Sequence, residues 1–237
     1  MELKDLKVDV YADGAEISEM VEMYRRGFVK GFTTNPTLMK KAGVEDYTKF
    51  VKNIVDEIPD LPISFEVFAD DFETMRKEAK KLSSFGRNVY VKIPITNSRG
   101  ESSIGVIEEL SKEGIRLNVT AVFTVAQVQK AVKAFTPDTE NIVSVFAGRI
   151  ADTGRDPEEV MKETVGICSR KKKTKCLWAS CREVFNIFQA DRCGVDIITV
   201  TYDILDKLTL LGRDLEEFSL ETVRMFEMDS RNLGFKI

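Results

Sequence analysis

The sequence predicts an α/β fold, a (β/α)8 TIM barrel with an additional C-terminal helix. Three observations predict it. Short runs rich in Val, Ile and Phe alternate with longer amphipathic stretches along all of the 237 residues. Several runs are nearly continuous in apolar character, as strands covered on both faces read. Eight such strand–helix units fit in roughly 210 residues, a lean repeat for a barrel. A doubly wound open sheet is the alternative arrangement of the same units.

In order, the strand candidates are Lys7–Ala12, Gly31–Thr33, Ile63–Phe68, Val89–Ile93, Arg116–Thr120, Asn141–Phe146, Lys175–Ala179 and Ile197–Val200. Between them, Val44, Tyr47, Val51, Ile54, Val55 and Ile58 recur at helical spacing, as do Ile104, Ile107 and Leu110. Asp156-Pro157-Glu158-Glu159 offers an N-cap, a Pro at the first helical position and a capping-box Glu. Asp70 with Glu73 repeats the capping-box pattern. Arg170–Lys173 reads as a solvated helix end, where cations complement the dipole. Past the last unit, Ser219–Phe235 carries Leu220, Val223, Phe226 and Leu233 on one stripe. Such a helix must bury its stripe on its own barrel or on a neighbour. With no linker, low-complexity tract or short repeat, residues 1–237 read as one domain.

Composition excludes whole classes of chemistry. Apolar residues make up 43% and charged residues 31%, enough to fill a core and too much for disorder. Lys plus Arg is 35 against 39 acidic residues, so the charge of −4 does not suggest a nucleic-acid partner. There is no His, which removes every Ser-His-Asp, Cys-His and His-metal mechanism within the chain. Cys168, Cys176, Cys181 and Cys193 form no CxxC pair and read as buried, reduced thiols. Met1–Asp5 lacks the apolar run of a secretory leader, and no run is long enough to span a bilayer. The expectation is a soluble, cytoplasmic protein with no membrane partner.

Polar residues inside apolar strands carry the functional signal. Lys92 interrupts Asn88-Val89-Tyr90-Val91-Lys92-Ile93-Pro94-Ile95. A buried ammonium is costly unless it is paired or gives up its proton, and a neutral amine is a nucleophile for carbonyls. Alternatively the stem is buried while the head snorkels to the rim. Other strands deliver polar groups at the same end. Asp13 follows β-like Val10–Ala12, Thr33, Thr34 and Asn35 close the second strand, and Glu66 sits in the third. Asn118 and Thr120, two apart, share a face of the fifth. Ser144 and Phe146 repeat that spacing in the sixth, with Arg149 beyond, and Ser180 and Arg182 end the seventh. In a barrel that end is the active-site face.

Five short motifs, in order, carry a resemblance. Gly31-Phe32-Thr33-Thr34-Asn35-Pro36-Thr37-Leu38 resembles the Thr-Thr-Asn-Pro signature of the transaldolase family, which includes the fructose-6-phosphate aldolases. Val91–Thr96 is similar to the family's Schiff-base lysine strand. Leu117–Thr120, Phe146–Ile150 and Ala179–Arg182 also match, and the length resembles the short, barrel-only subfamilies.

The resemblance implies a class I transaldolase that moves a dihydroxyacetone unit from a ketose phosphate to an aldose phosphate, within pentose phosphate metabolism. Lys92 would form the imine. Asp13 would take the C4 hydroxyl proton, while Glu66 and Thr120 would activate a water. Asn35 and Asn118 would hold the dihydroxyacetone unit, with Thr33 and Ser144 lining the pocket. Arg149, Arg182 and Ser180 would bind the distal phosphate. No cofactor or metal is implied. Sugar phosphates are the expected partners, and the short subfamilies imply homo-oligomers, pentamers or decamers. Aldolase members resemble one another in having a Tyr acid where this chain has Phe146, and Gln where it has Glu66. Both positions read as transferase-like. An aldolase releasing free dihydroxyacetone, a transaldolase for an unusual sugar and a non-catalytic sugar-phosphate binder are the alternatives. Gly14, where members often have Thr, and Cys181, where Phe is common, depart from the pattern near the substrate rim.

Overall fold

Eight parallel strands close on themselves in sequence order, and a computed structural model describes them within residues 6–234. They are β1 (Asp9–Asp13), β2 (Phe32–Thr33), β3 (Ile63–Glu66), β4 (Val89–Pro94), β5 (Leu117–Val122), β6 (Asn141–Val145), β7 (Thr174–Trp178) and β8 (Ile197–Thr201). All eight expected strands are present, with ends shifted by up to a few residues. Closure comes from β1 pairing with β8, Asp9 to Ile197 through Asp13 to Thr201. The fold is a (β/α)8 TIM barrel with a C-terminal helix, not an open sheet.

Burial explains the apolar strand sequences. Val89, Val91 and Ile93 of β4 are buried against the helix layer, while Tyr90 and Lys92 alternate to the interior. Helix α3 (Tyr47–Glu57) buries Phe50, Val51, Ile54 and Val55; its cap is Asp46, so Val44 lies outside it. Helix α5 (Ile104–Lys112) buries Ile107 and Leu110 as its spacing requires. Helix α8 (Pro157–Cys168) starts at the expected Asp156 cap, which accepts from the Glu158 N–H. Helix α4 (Phe72–Ser83) corrects one expectation. Its cap is Asp71, accepting from the Thr74 N–H, whereas Asp70 turns away and accepts from both the N–H and hydroxyl of Ser98. The expected Asp156–Glu159 capping box does not form either; the capping box appears in α6 (Val125–Ala134), between Thr124 and Gln127.

The chain divides into two compact units, Met1–Leu205 and Asp206–Ile237. The first holds the barrel. The second holds α11 (Leu215–Leu233), capped by Asp214, which accepts from the N–H groups of Glu216 and Glu217. Its Leu220, Val223, Phe226 and Leu233 are exposed. Phe235 and the Met1–Asp5 segment of the leader reading lie outside the described residues. Among those described, no helix is long and apolar enough to cross a membrane.

Candidate active site

Strand register assembles the site. Asp13 pairs with Thr33 and Thr201, Glu66 with Lys92, Lys92 with Asn118, and Pro94 with Thr120. Register on neighbouring parallel strands brings these side chains into adjacent interior layers, toward the carboxyl ends of the strands. A cavity of about 400 Å³ opens on that layer. Eleven of the twelve expected site residues line it: Asp13, Thr33, Asn35, Glu66, Lys92, Thr120, Ser144, Phe146, Arg149, Ser180 and Arg182. The twelfth, Asn118, lies deeper. It is fully buried, donates to Ser64 Oγ at 3.0 Å and accepts from the Ser144 hydroxyl at 2.6 Å. It therefore holds Ser144 in place.

Lys92 is 7% exposed, so its head does not snorkel out. Nζ donates to the Thr34 carbonyl at 2.8 Å and lies 3.4 Å from Glu66 Oε2. The carbonyl is held in turn, because the Thr34 N–H and hydroxyl both donate to the Ser64 carbonyl at 3.1 Å. Asp13 accepts from the Thr33 hydroxyl at 2.7 Å and from Asn35 Nδ2 at 3.3 Å. Thr33 has one hydroxyl proton, given to Asp13, so its 2.5 Å contact with Thr199 is one in which Thr199 donates. Burial pushes the Asp13 carboxyl above its ordinary value, and the nearby Glu66 adds to the rise; Lys92 and the two hydrogen bonds oppose it. Thr120 Oγ1 is buried and has no partner among the described residues. Beside it the strand is irregular. Register shifts between Val119 and Val122, and Ala121 has φ +56°.

The rim is a second cluster, of guanidinium groups. Gly148 makes it possible. A Cβ there would fall 1.6 Å from the Ser180 carbonyl oxygen, so only glycine lets the loop after β6 pack on the loop after β7. Ser180 itself has φ +64°, a conformation rare for a residue with a Cβ. The result gathers Arg149, Ser180 and Arg182 on one side of the cavity. Arg182 pairs with Asp152, and Arg149 sits 5.3 Å over the ring of Phe146. Phe146 packs in turn on Phe123, ring centroids 5.7 Å apart.

Most of the chain is similar to known proteins. The family model described as Transaldolase/Fructose-6-phosphate aldolase matches residues 10–237. The chain belongs to the transaldolase/fructose-6-phosphate aldolase family. It is 38% identical over 212 residues to a "Probable transaldolase" of Methanococcus maripaludis, covering 88% of this chain and 94% of that one. A "Probable transaldolase" of Thermoanaerobacter is 36% identical over 228 residues, covering 96% and 99%. Another, from Caldicellulosiruptor saccharolyticus, is 39% identical over 202 residues, covering 84% and 88%. This family member is an enzyme of the transaldolase or aldolase type.

Sequence reasoning missed part of the site. Thr199 and Thr201 line the cavity from β8. Their spacing of two is the signal that identified Asn118 and Thr120. Thr34 stands among the polar residues closing the second strand without a role of its own, yet its carbonyl is the nearest acceptor to Lys92 Nζ. Ala121, Leu177, Ala179, Cys181 and the start of the helix at Pro36–Leu38 complete the lining.

Proposed function

We propose that this chain is a Schiff-base transaldolase that moves a dihydroxyacetone unit from a ketose phosphate to an aldose phosphate. The observation that carries this reading is Lys92, a buried amine between a fixed carbonyl and Glu66, facing a cavity that also holds Asp13. Lys92 gives a proton to a neighbouring carboxylate, and its lone pair attacks C2 of the ketose. The carbinolamine loses its hydroxyl as water, using a proton supplied by Glu66. Thr120, with its open hydroxyl, supports the departing water.

Asp13 then takes the C4 hydroxyl proton. The C3–C4 electron pair moves into the iminium, leaving an enamine on Lys92 and a free aldehyde. An Asp whose affinity for protons is raised by burial suits this task better than an ordinary one. The enamine C3 attacks the acceptor aldehyde by the reverse path, and hydrolysis of the new imine frees the product. Arg149 and Arg182 supply planar donors matched to a distal phosphate. Phe146 offers no proton to the enamine and covers it from solvent, which favours transfer over release.

Borohydride reduction in the presence of fructose 6-phosphate tests the reading. The expected result is a covalent adduct mapped to Lys92, and product turnover that depends on a four-carbon aldose phosphate acceptor. Free dihydroxyacetone released equally fast without acceptor would replace transfer with aldolase chemistry; no adduct at all would leave a binding barrel.

A further inference from the structure

The peptide that carries Asp13 has a neighbour with no part in the steps above. Gly14 follows Asp13, and its N–H donates to the Thr33 carbonyl at 3.1 Å. A Cβ on Gly14 would lie 2.2 Å from Cε2 of Tyr202 and 2.8 Å from its Cζ and Oη. Gly14 is not among the glycines of positive φ, so space rather than backbone conformation demands glycine here. Tyr202 opens α10 (Tyr202–Asp206), directly after Thr201, the residue in register with Asp13. Its ring thus occupies the room that a side chain at position 14 would need.

Nothing polar fixes that ring. Tyr202 Oη is buried without a hydrogen-bond partner among the described residues, so the ring is placed by packing alone. A buried hydroxyl left unpaired is a cost, tolerated where the surroundings demand the shape. The groups around Asp13 are Lys92 from β4, Glu66 from β3, Thr33 from β2 and Asn35, which caps the helix after it. Glu16 and Glu19 face Tyr202 beyond them. Polar partners therefore hold the Asp13 carboxylate on the β2 side, while the ring of Tyr202 backs the peptide next to it.

Resting on the proton-transfer role proposed for Asp13, we infer that Tyr202 is a positioning residue: seated on Gly14, its ring fixes the Asp13 peptide and keeps water from the carboxylate, and the two residues form a matched pair. A side chain at position 14 has no room while Tyr202 keeps this rotamer.

The test is a double-mutant cycle on the full chain, with fructose 6-phosphate as donor and a four-carbon aldose phosphate as acceptor. Gly14→Ala should lower kcat by about 30-fold with KM within about threefold, the usual result of displacing a reacting group by a fraction of an ångström. Tyr202→Ala should lower kcat by about tenfold and shift the acid limb of the kcat profile to lower pH, because water reaches Asp13. The double variant should be no worse than Tyr202→Ala, since the clash is gone. Tyr202→Phe keeps the ring and should stay within about threefold of wild type. Borohydride trapping on Lys92 should persist in all four, because imine formation precedes the Asp13 step.

Losses that multiply independently, or Tyr202→Ala with unchanged kcat and acid limb, would overturn the inference while the Lys92 adduct still stands. A lowered melting temperature with intact kinetics would overturn it equally, by leaving the pair a structural role only. Absence of the adduct in wild type would remove the proton-transfer role and the inference together.

Discussion

The barrel interior has two ends, both lined by charged side chains, and only one of them is built as a site. At the amino ends of the strands, a cavity of about 420 Å³ is bordered by Tyr11, Tyr90, Arg116, Glu140 and Lys175. It is no smaller than the 400 Å³ cavity at the other end. Yet its charges are matched locally. Arg116 meets Glu140 at 3.2 Å and donates to the Arg87 carbonyl, Tyr90 donates to Glu140 at 3.0 Å, and Lys175 lies 3.5 Å from Asp9. Asn141 Oδ1 and Thr174 Oγ1, on residues that also border this cavity, lack partners among the described residues, but both groups are uncharged. At the carboxyl ends, Thr120 Oγ1 lacks a partner among the described residues, burial raises the Asp13 carboxyl above its ordinary value, and the Lys92 amine lies beside Glu66 at the cavity. Charge and volume alone do not mark a site. A buried amine converging with two carboxylates on one cavity does.

The largest expected effect sets one end against the other. Lys92→Met removes the amine at similar volume and should reduce turnover by at least about a thousandfold, with loss of the borohydride adduct. Lys175→Met makes the same chemical change at the opposite end and should leave turnover within about twofold. Steady-state rates of both variants check this. A Lys92→Met enzyme within tenfold of wild type breaks the comparison at its strongest point.

Next in size is the guanidinium rim. Arg149→Ala and Arg182→Ala should each cost roughly 1.5–3 kcal/mol in kcat/KM for phosphorylated substrates, the worth of a charge-assisted hydrogen bond. Substrates lacking the phosphate should lose much less. Because Arg182 already pairs with Asp152, Asp152→Ala is the informative control, expected to spare phosphate binding. Equal losses for both substrate types would put the arginines with the structural pairs of the other end.

A smaller effect is expected at Phe146. Its ring lines the cavity between Phe123 and Arg149. Phe146→Tyr places a phenol of ordinary pKa about 10 beside the enamine. Release of free dihydroxyacetone without acceptor should rise severalfold and transfer should fall. A wild type that already releases as fast as it transfers would show that this position does not divide the two chemistries.

Much of this was legible in the sequence because the anomalies were chemical. Lys in an apolar strand and Glu in Phe65-Glu66-Val67 contradict burial, so they stand out from their surroundings. Thr199 and Thr201 did not, because Thr is an ordinary strand residue. The Thr34 carbonyl has no sequence signal of its own, being backbone. Asp70 and Asp71 are adjacent carboxylates that suit an N-cap equally, and only the distant Ser98 decides between them. Gly148 against Ser180, and Gly14 against Tyr202, are contacts between segments far apart in the chain; a lone glycine does not say what approaches it.

The smallest effect is on stability, and its sign differs between the two ends. Burial raises the Asp13 carboxyl above the ordinary 3.8, so the folded protein holds that proton more firmly than the unfolded chain. Its favourable contribution is complete below the ordinary value and is lost as pH rises through the raised one. Where the group is ionised in the folded protein it is therefore a net cost to folding. Asp13→Asn should stabilise the protein by about 1 kcal/mol at pH 7, the usual gain when a site's strain is relieved, while abolishing transfer. The gain should shrink to nothing in acid, where Asp13 is protonated in both states. Glu140→Gln should do the reverse, losing about 0.5–1 kcal/mol from a half-exposed ion pair and a weakened Tyr90 bond, with activity intact. Denaturant unfolding of both variants at pH 7, and of Asp13→Asn again in acid, measures the signs. Two destabilised variants would mean that the Asp13 network holds the barrel together as the Arg116–Glu140 network does, and that the contrast between the ends is one of position rather than of stored tension.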